Sequence, residues 1–373
     1  MSTYSAEIAV IGAGVIGLSV AAELSRNRSV VLLESHAKFG QETSSRNSEV
    51  IHSGIYYPLA SKKTEFALRG RELIYSYCQR KQVPFRKCGK FVVATNGAEQ
   101  NYLEGLSQHA AYLQVPVRRL AGAQISTVES QVFAVSGLFF PESGIVNSHE
   151  LMASLERDIA DNDGTLGYRC QVVEVYPHED RWAIEFKSGD ERAKLIVDYV
   201  VNCAGLAAAH FSNQALKTQR YAHRFCRGRY FNLGTKYQNK FRSLIYPVPE
   251  KHGLGVHVTL DTQGMVRLGP DVDWCEDSQY ESREKYYDCD WEALRGQFLQ
   301  AVRRYCPKIQ AEDLTPGTIG IRPKLFVDEV ARPDFLIEME KNWIHCLGIE
   351  SPGLTAAFAI SEEVSRLIRG STK

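Results

Sequence analysis

Residues 7–34 read EIAVIGAGVIGLSVAAELSRNRSVVLLE, and this stretch decides the fold. Residues 7–11 form a short apolar run that reads as a buried strand. Residues 15–25 read as a helix, and residues 30–34 (VVLLE) as a second strand. A β-α-β unit with a parallel sheet follows. Between the first strand and the helix stands Gly12-x-Gly14-x-x-Gly17. Gly12 suits the tight turn, Gly14 lets the backbone approach a pyrophosphate, and Gly17 lets helix and strand pack closely. The helix N-terminus adds free N–H groups and positive potential. Glu34 ends the second strand, at about the 20-residue offset of the acid that holds a ribose diol. A carboxylate there disfavours a 2′-phosphate. A dinucleotide is therefore expected, and NADP is not.

Two distant segments favour FAD over NAD. VVNCAG (200–205) is a buried run ending in Ala204-Gly205, where a strand returns close to the cofactor. Gly348-Ile-Glu-Ser-Pro-Gly-Leu-Thr355 is a small-residue turn that opens a helix at the far end of the chain. A helix N-terminus facing the flavin N1–C2=O edge would stabilise the charge of reduced flavin.

The rest of the chain is read more coarsely. Helices are expected at 64–80, 99–113, 149–163 (capped by Asn147 or Ser148) and 291–305, with a strand at 89–94. Three strands at 170–176, 181–187 and 195–202 read as an antiparallel element returning to the parallel sheet. Strand-like runs at 226–233, 243–248, 254–260 and 264–269 alternate with turn signals, as in an antiparallel sheet. An amphipathic helix, GLTAAFAISEEVSRLIR, follows Pro352.

The chain has 373 residues, 44% of them hydrophobic, which is enough for two domains. Lys+Arg and Asp+Glu are both 44. That balance gives no case for nucleic acid as a partner. None of the nine cysteines forms a C-x-x-C or zinc-type pair, so free thiols and no metal are expected. The opening MSTYSAEIAVIGAG has no charged leader or cleavage site, and no apolar run is long enough to span a bilayer. A cytoplasmic location is expected, with peripheral contact with a membrane left open.

Ser44-Ser-Arg-Asn-Ser-Glu-Val-Ile-His-Ser-Gly-Ile-Tyr-Tyr-Pro58 resembles the equivalent segment of L-2-hydroxyglutarate dehydrogenases, a family of the D-amino-acid-oxidase-like flavoprotein superfamily. So do Ile245-Tyr-Pro-Val-Pro249, Gly255-Val-His-Val-Thr259, Leu268-Gly-Pro270, Gly320-Ile-Arg-Pro-Lys324 and Ser351-Pro-Gly-Leu-Thr355. These islands are collinear and span nearly the whole chain. The resemblance implies an α/β, Rossmann-like FAD-binding domain from 1–84, 146–220 and 325–373. It implies an α+β substrate domain, on an antiparallel sheet, from 85–145 and 221–324. It also implies non-covalent FAD touching Gly12, Gly14, Gly17, Glu34, Ser44, Ser45, Asn47, Ser48, Val172, Ala204, Gly205, Gly353, Leu354 and Thr355. Three departures from the family pattern fall beside the expected substrate pocket: Glu49 for a small residue, Arg322-Pro-Lys324, and Arg227-Gly-Arg229.

Oxidising a 2-hydroxy acid removes a hydride and a hydroxyl proton from one carbinol, so the protein must bind the carboxylate and accept the proton. His52 and His257 are the candidate bases. Arg322 is the candidate carboxylate clamp, set in what reads as a rigid turn between the domains. Lys324 is the candidate for a distal carboxylate, and Tyr57 and Tyr246 are candidate hydroxyl donors. The expected partners are a small carboxylate substrate and an electron acceptor: a quinone, a carrier or oxygen. L-2-Hydroxyglutarate is the favoured substrate. The alternatives are an amine or amino-acid oxidase, a glycerol-3-phosphate dehydrogenase, and a non-catalytic FAD-binding assembly factor.

Overall fold

The first β-α-β unit consists of the strand Ser2–Ile11, the helix Val15–Leu24 and the strand Val30–Leu33. They are seen in a computed structural model that describes residues 2–249 and 255–371. The first strand starts five residues before the apolar run does. Its exposed head, from Ser2, pairs in parallel with the strand Glu191–Asn202 from Ala193 onward, and backbone pairing there replaces the missing hydrophobic signal.

Glu191–Asn202 is the hinge of the first sheet. Its first half runs antiparallel to Arg181–Ser188, which pairs with Cys170–His178. Its second half runs parallel to Trp343–Leu347. Ile11 pairs with Asn202, and Asn202 with His345. The carboxyl ends of strands from the two ends of the chain thus lie side by side, the edge at which open α/β sheets bind ligands.

Helices Val15–Leu24, Lys62–Lys81 and Gly353–Ser371 share one buried cluster that includes Leu18, Ile74 and Ile360. Ser61 accepts from the Thr64 N–H to cap the second of these. Asn147 accepts from the Glu150 N–H, 3.0 Å away, to cap Ser148–Asp161. Caps of this kind contribute about 1 kcal/mol each.

Among the described residues, the second sheet has ten strands, and its longest pairing is antiparallel, Tyr221–Leu233 against Leu314–Val327. Lys90–Ala94 lies in it beside Leu244–Pro247. Two expectations need correction. Arg322-Pro323 is not a turn between domains: it lies inside the Leu314–Val327 strand, where Pro323 sits opposite Phe225. Proline is tolerated because the outer side of that strand pairs only at Phe326 and Val327, with Val330–Ala331. The same strand runs through the 324/325 boundary, and the second sheet continues to Ala331. Of the strand expected at 254–260, Val258–Leu260 forms, and Leu254 lies outside the described residues. No helix among the described residues is long and apolar enough to cross a membrane.

Candidate active site

A cavity of ≈ 1480 Å³ opens at the carboxyl edge of the first sheet and extends to the face of the second. One end is built from the first β-α-β unit. Gly14 precedes the helix with no side chain capping it, leaving the helix N-terminus open to a ligand. The Val15 N–H donates to Ser44 Oγ at 2.9 Å, and the Ala13 N–H to Glu34 Oε2 at 2.7 Å. The other Glu34 oxygen accepts from the His36 N–H at 2.8 Å. Gly17 works by absence: a Cβ there would lie 1.9 Å from the Gly12 carbonyl oxygen.

Eleven of the expected cofactor residues line this cavity: Gly12, Gly14, Glu34, Ser44, Asn47, Ser48, Val172, Ala204, Gly205, Gly353 and Leu354. Gly17, Ser45 and Thr355 are not on its wall. Gly17 packs the helix, and Ser45 is exposed, its hydroxyl donating to the Glu42 carbonyl. Thr355 is fully buried, and its Oγ1 accepts from the His52 N–H at 3.0 Å while donating to the Val50 carbonyl. It positions His52. Asn202, which the sequence reading passed over, holds the turn at Ala204: its amide donates to the Ala208 carbonyl and Ser212 Oγ and accepts from the Ala204 N–H.

An uncapped helix N-terminus, a carboxylate at the glycine turn and an elongated cavity reaching both chain ends fit a dinucleotide with a second reactive ring. The segment carrying Ser44–Ser48 is fastened to the second sheet. Thr43 Oγ1 donates to the Ile321 carbonyl at 3.0 Å, and Ser48 Oγ lies 2.9 Å from the Tyr230 hydroxyl.

All six candidate catalytic residues, His52, Tyr57, Tyr246, His257, Arg322 and Lys324, line the same cavity. His52 is half-buried and lines the cavity. Burial, then the charges of Lys90 and His257, push its imidazole down to about 3, so it is neutral at working pH. Its Nε2 lies 3.4 Å from Ser351 Oγ, and its Nδ1 has no hydrogen-bond partner among the described residues. His257 stacks on Tyr246, ring centroids 3.6 Å apart. The Tyr57 hydroxyl lies 3.3 Å from Ser351 Oγ. Burial raises the Tyr57 and Tyr246 phenols, keeping both neutral donors.

Arg322 donates through Nη2 to the Asp271 carbonyl at 2.7 Å. Its guanidinium lies across Gly228, where a Cβ would come within 2.0 Å of Nη2. Lys324 is already paired: its Nζ sits 2.7 Å from Glu350 Oε2. The three departures are accounted for locally. Glu49 pairs with Arg267 at 2.9 Å and accepts from the Ser148 N–H and hydroxyl. Arg227 pairs with Asp273 at 2.6 Å, and Arg229 with Asp271 at 2.6 Å.

Other groups at the site escaped the sequence reading. Glu42 accepts from Arg283 Nε at 2.8 Å and from the Tyr280 hydroxyl at 2.9 Å, next to His36, and all four line the cavity. Burial works to raise the Glu42 carboxyl, but His36 and Arg283 hold it below its usual value. Lys63 and Glu350 also reach the wall. Lys90 is fully buried, with no hydrogen-bond partner on its Nζ among the described residues, 4.4 Å from the Tyr56 ring and 4.8 Å from the Tyr246 ring. Only Glu350 offered a signal, through its place in the Gly348–Thr355 turn.

Comparison with known proteins agrees with this geometry. A family model described as FAD dependent oxidoreductase matches residues 7–367. The chain is 38% identical to the mitochondrial L-2-hydroxyglutarate dehydrogenase of Arabidopsis thaliana, over 95% of this chain and 82% of that protein. It is 28% identical to glycerol 3-phosphate dehydrogenase of Caloramator mitchellensis, over 98% of this chain and 74% of that one. Among solved structures, L-alpha-glycerophosphate oxidase from Mycoplasma pneumoniae, with FAD bound, superposes with a TM-score of 0.87 at 24% identity, covering 98% of this chain and 95% of that one. That likeness is one of fold.

Proposed function

The chain belongs to the FAD dependent oxidoreductase family, and on that premise we propose that it oxidises L-2-hydroxyglutarate to 2-oxoglutarate. FAD, bound without a covalent link, supplies the two-electron acceptor for the substrate hydride. The expected cofactor residues that line the cavity hold it. Arg322 binds the carboxylate beside the reacting carbon, since a guanidinium matches a carboxylate in a two-bond fork. His52 takes the hydroxyl proton. Its depressed basicity keeps the ring neutral before substrate arrives, and an anion in the site raises that basicity toward the working range. His257, its ring stacked on Tyr246, orients the substrate oxygen.

The observation that carries this reading is the presence of a guanidinium and a neutral imidazole on one cavity wall, Arg322 and His52. The activity named for the Arabidopsis relative supports the choice of substrate. Glycerol 3-phosphate is the second reading, supported by the Caloramator relative. The domain division at residues 84/85, 145/146 and 220/221 goes with the same proposal, and the last boundary moves beyond Ala331. The reduced enzyme passes its electrons to a quinone, a carrier or oxygen.

The test is an anaerobic panel. The yellow protein is mixed separately with L-2-hydroxyglutarate, D-2-hydroxyglutarate, glycerol 3-phosphate and a set of amino acids. Bleaching of the flavin by the first alone supports the proposal. Bleaching only by glycerol 3-phosphate or an amino acid replaces it.

A further inference from the structure

One carboxylate in the cavity wall holds two lysines. Glu350 Oε1 lies 2.8 Å from Lys63 Nζ and 2.8 Å from Lys324 Nζ, and Oε2 lies 2.7 Å from Lys324. The side chains of Glu350 and Lys63 are both only 8% exposed, so this is no surface pair loosened by water. Burial works to raise the Glu350 carboxyl, but the charges of Lys63 and Lys324 hold it below its usual value, and it is ionised. Two ammonium groups on one carboxylate leave one positive charge uncompensated. Lys324 is 32% exposed, so this excess charge is only partly buried, and an anion beside it is favoured. The open space beside all three residues is the substrate cavity.

The excess charge stands on the same strand as the proposed carboxylate clamp. Arg322 and Lys324 are two residues apart on one strand, so their side chains share a face, with their Cα atoms about 6.6–6.8 Å apart. Arg322, Lys324 and Glu350 also all act on the Cys226 thiol, which places the three in one neighbourhood. We propose that Glu350 bridges Lys63 and Lys324 into a subsite for the second carboxylate of a dicarboxylic substrate, and that this subsite sets selectivity for diacids over monoacids. Lys63 and Lys324 are the specificity-determining groups, and Glu350 is a positioning residue. The inference rests on the 2-hydroxy-acid reading above and extends it to the far end of the substrate.

The experiment uses unreactive ligands on the holoenzyme, so that binding is read apart from turnover. Glutarate and butyrate are titrated while the flavin absorbance is followed. The native enzyme binds glutarate at least about tenfold more tightly than butyrate. Lys63→Met brings the two constants within about threefold by weakening glutarate alone. Glu350→Gln frees both ammonium groups from the carboxylate that positions them, and the gap narrows even though the local positive charge rises. Lys63→Arg keeps the preference, and it serves as the folded control if Lys63→Met fails to retain FAD. A native enzyme without preference overturns the proposal. So does a glutarate constant unchanged in Lys63→Met, or a preference lost in Lys63→Arg with FAD bound. The substrate reading is judged separately, by whether L-2-hydroxyglutarate bleaches the native flavin. Glutarate selectivity without bleaching sinks that reading and leaves the subsite standing.

Discussion

His257 lies flat on Tyr246, ring centroids 3.6 Å apart and planes 12° from parallel. Tyr56 continues the arrangement, nearly parallel to Tyr246 at 6.4 Å, with the Lys90 ammonium close to both tyrosines. The His257 imidazole is thus braced on one face by the Tyr246 ring. A stack of this kind contributes about 0.5–1.5 kcal/mol. Tyr246→Leu should lower kcat by roughly tenfold, whereas Tyr246→Phe, which keeps the ring face, should cost much less. Steady-state kinetics on both variants decides it, and equal losses would show that the hydroxyl, not the stack, matters.

Thr355 separates two roles. The sequence reading gives it a flavin contact, but its hydroxyl holds the His52 backbone. Thr355→Val should leave FAD content unchanged and lower kcat, on the order of tenfold if positioning His52 matters to proton transfer. Flavin absorbance per protein, measured with turnover, checks this. Loss of FAD with normal turnover per flavin would return Thr355 to the cofactor.

Gly228 makes room for Arg322. Gly228→Ala places a methyl where the guanidinium lies. KM should rise by roughly 10–100-fold, the scale of a lost charged hydrogen bond, with flavin binding intact. An unchanged KM would mean that Arg322 does not hold the substrate.

Lys90 links stability to pH. Burial pushes its amine down from 10.5 to about 7. Between those values the unfolded chain binds the proton that the folded chain gives up, so stability rises with pH across that window. Below about pH 7 the cost is fully present. Lys90→Met should raise Tm by several degrees near pH 6, with the gain fading as pH approaches 10. Melting curves of both holoproteins across that range test it. A lower Tm for Lys90→Met at every pH would show that the ammonium has a stabilising partner.

Much of this fold was legible because local chemistry dictated it. Gly12, Gly14, Gly17 and Glu34 carry their reasons in their spacing, and the cap at Asn147 announced its helix. What escaped depended on long-range contacts. The strand Leu314–Val327 begins with the exposed pair Thr315-Pro316, and it is its pairing with Tyr221–Leu233 that makes it a strand. Nothing in the sequence singles out Lys63 or Lys90, because burial by distant segments leaves no local trace. The Glu42–Arg283 contact joins residues 241 positions apart, beyond any motif.

The central claim is that both ends of the chain meet on one flavin, beside a clamp for a 2-hydroxy acid. Its most direct test is an anaerobic single turnover with L-2-hydroxyglutarate in excess. The oxidised-flavin absorbance should disappear, with one 2-oxoglutarate formed for each flavin reduced. A flavin that stays oxidised with L-2-hydroxyglutarate, or a protein that takes up no FAD at all, would contradict it.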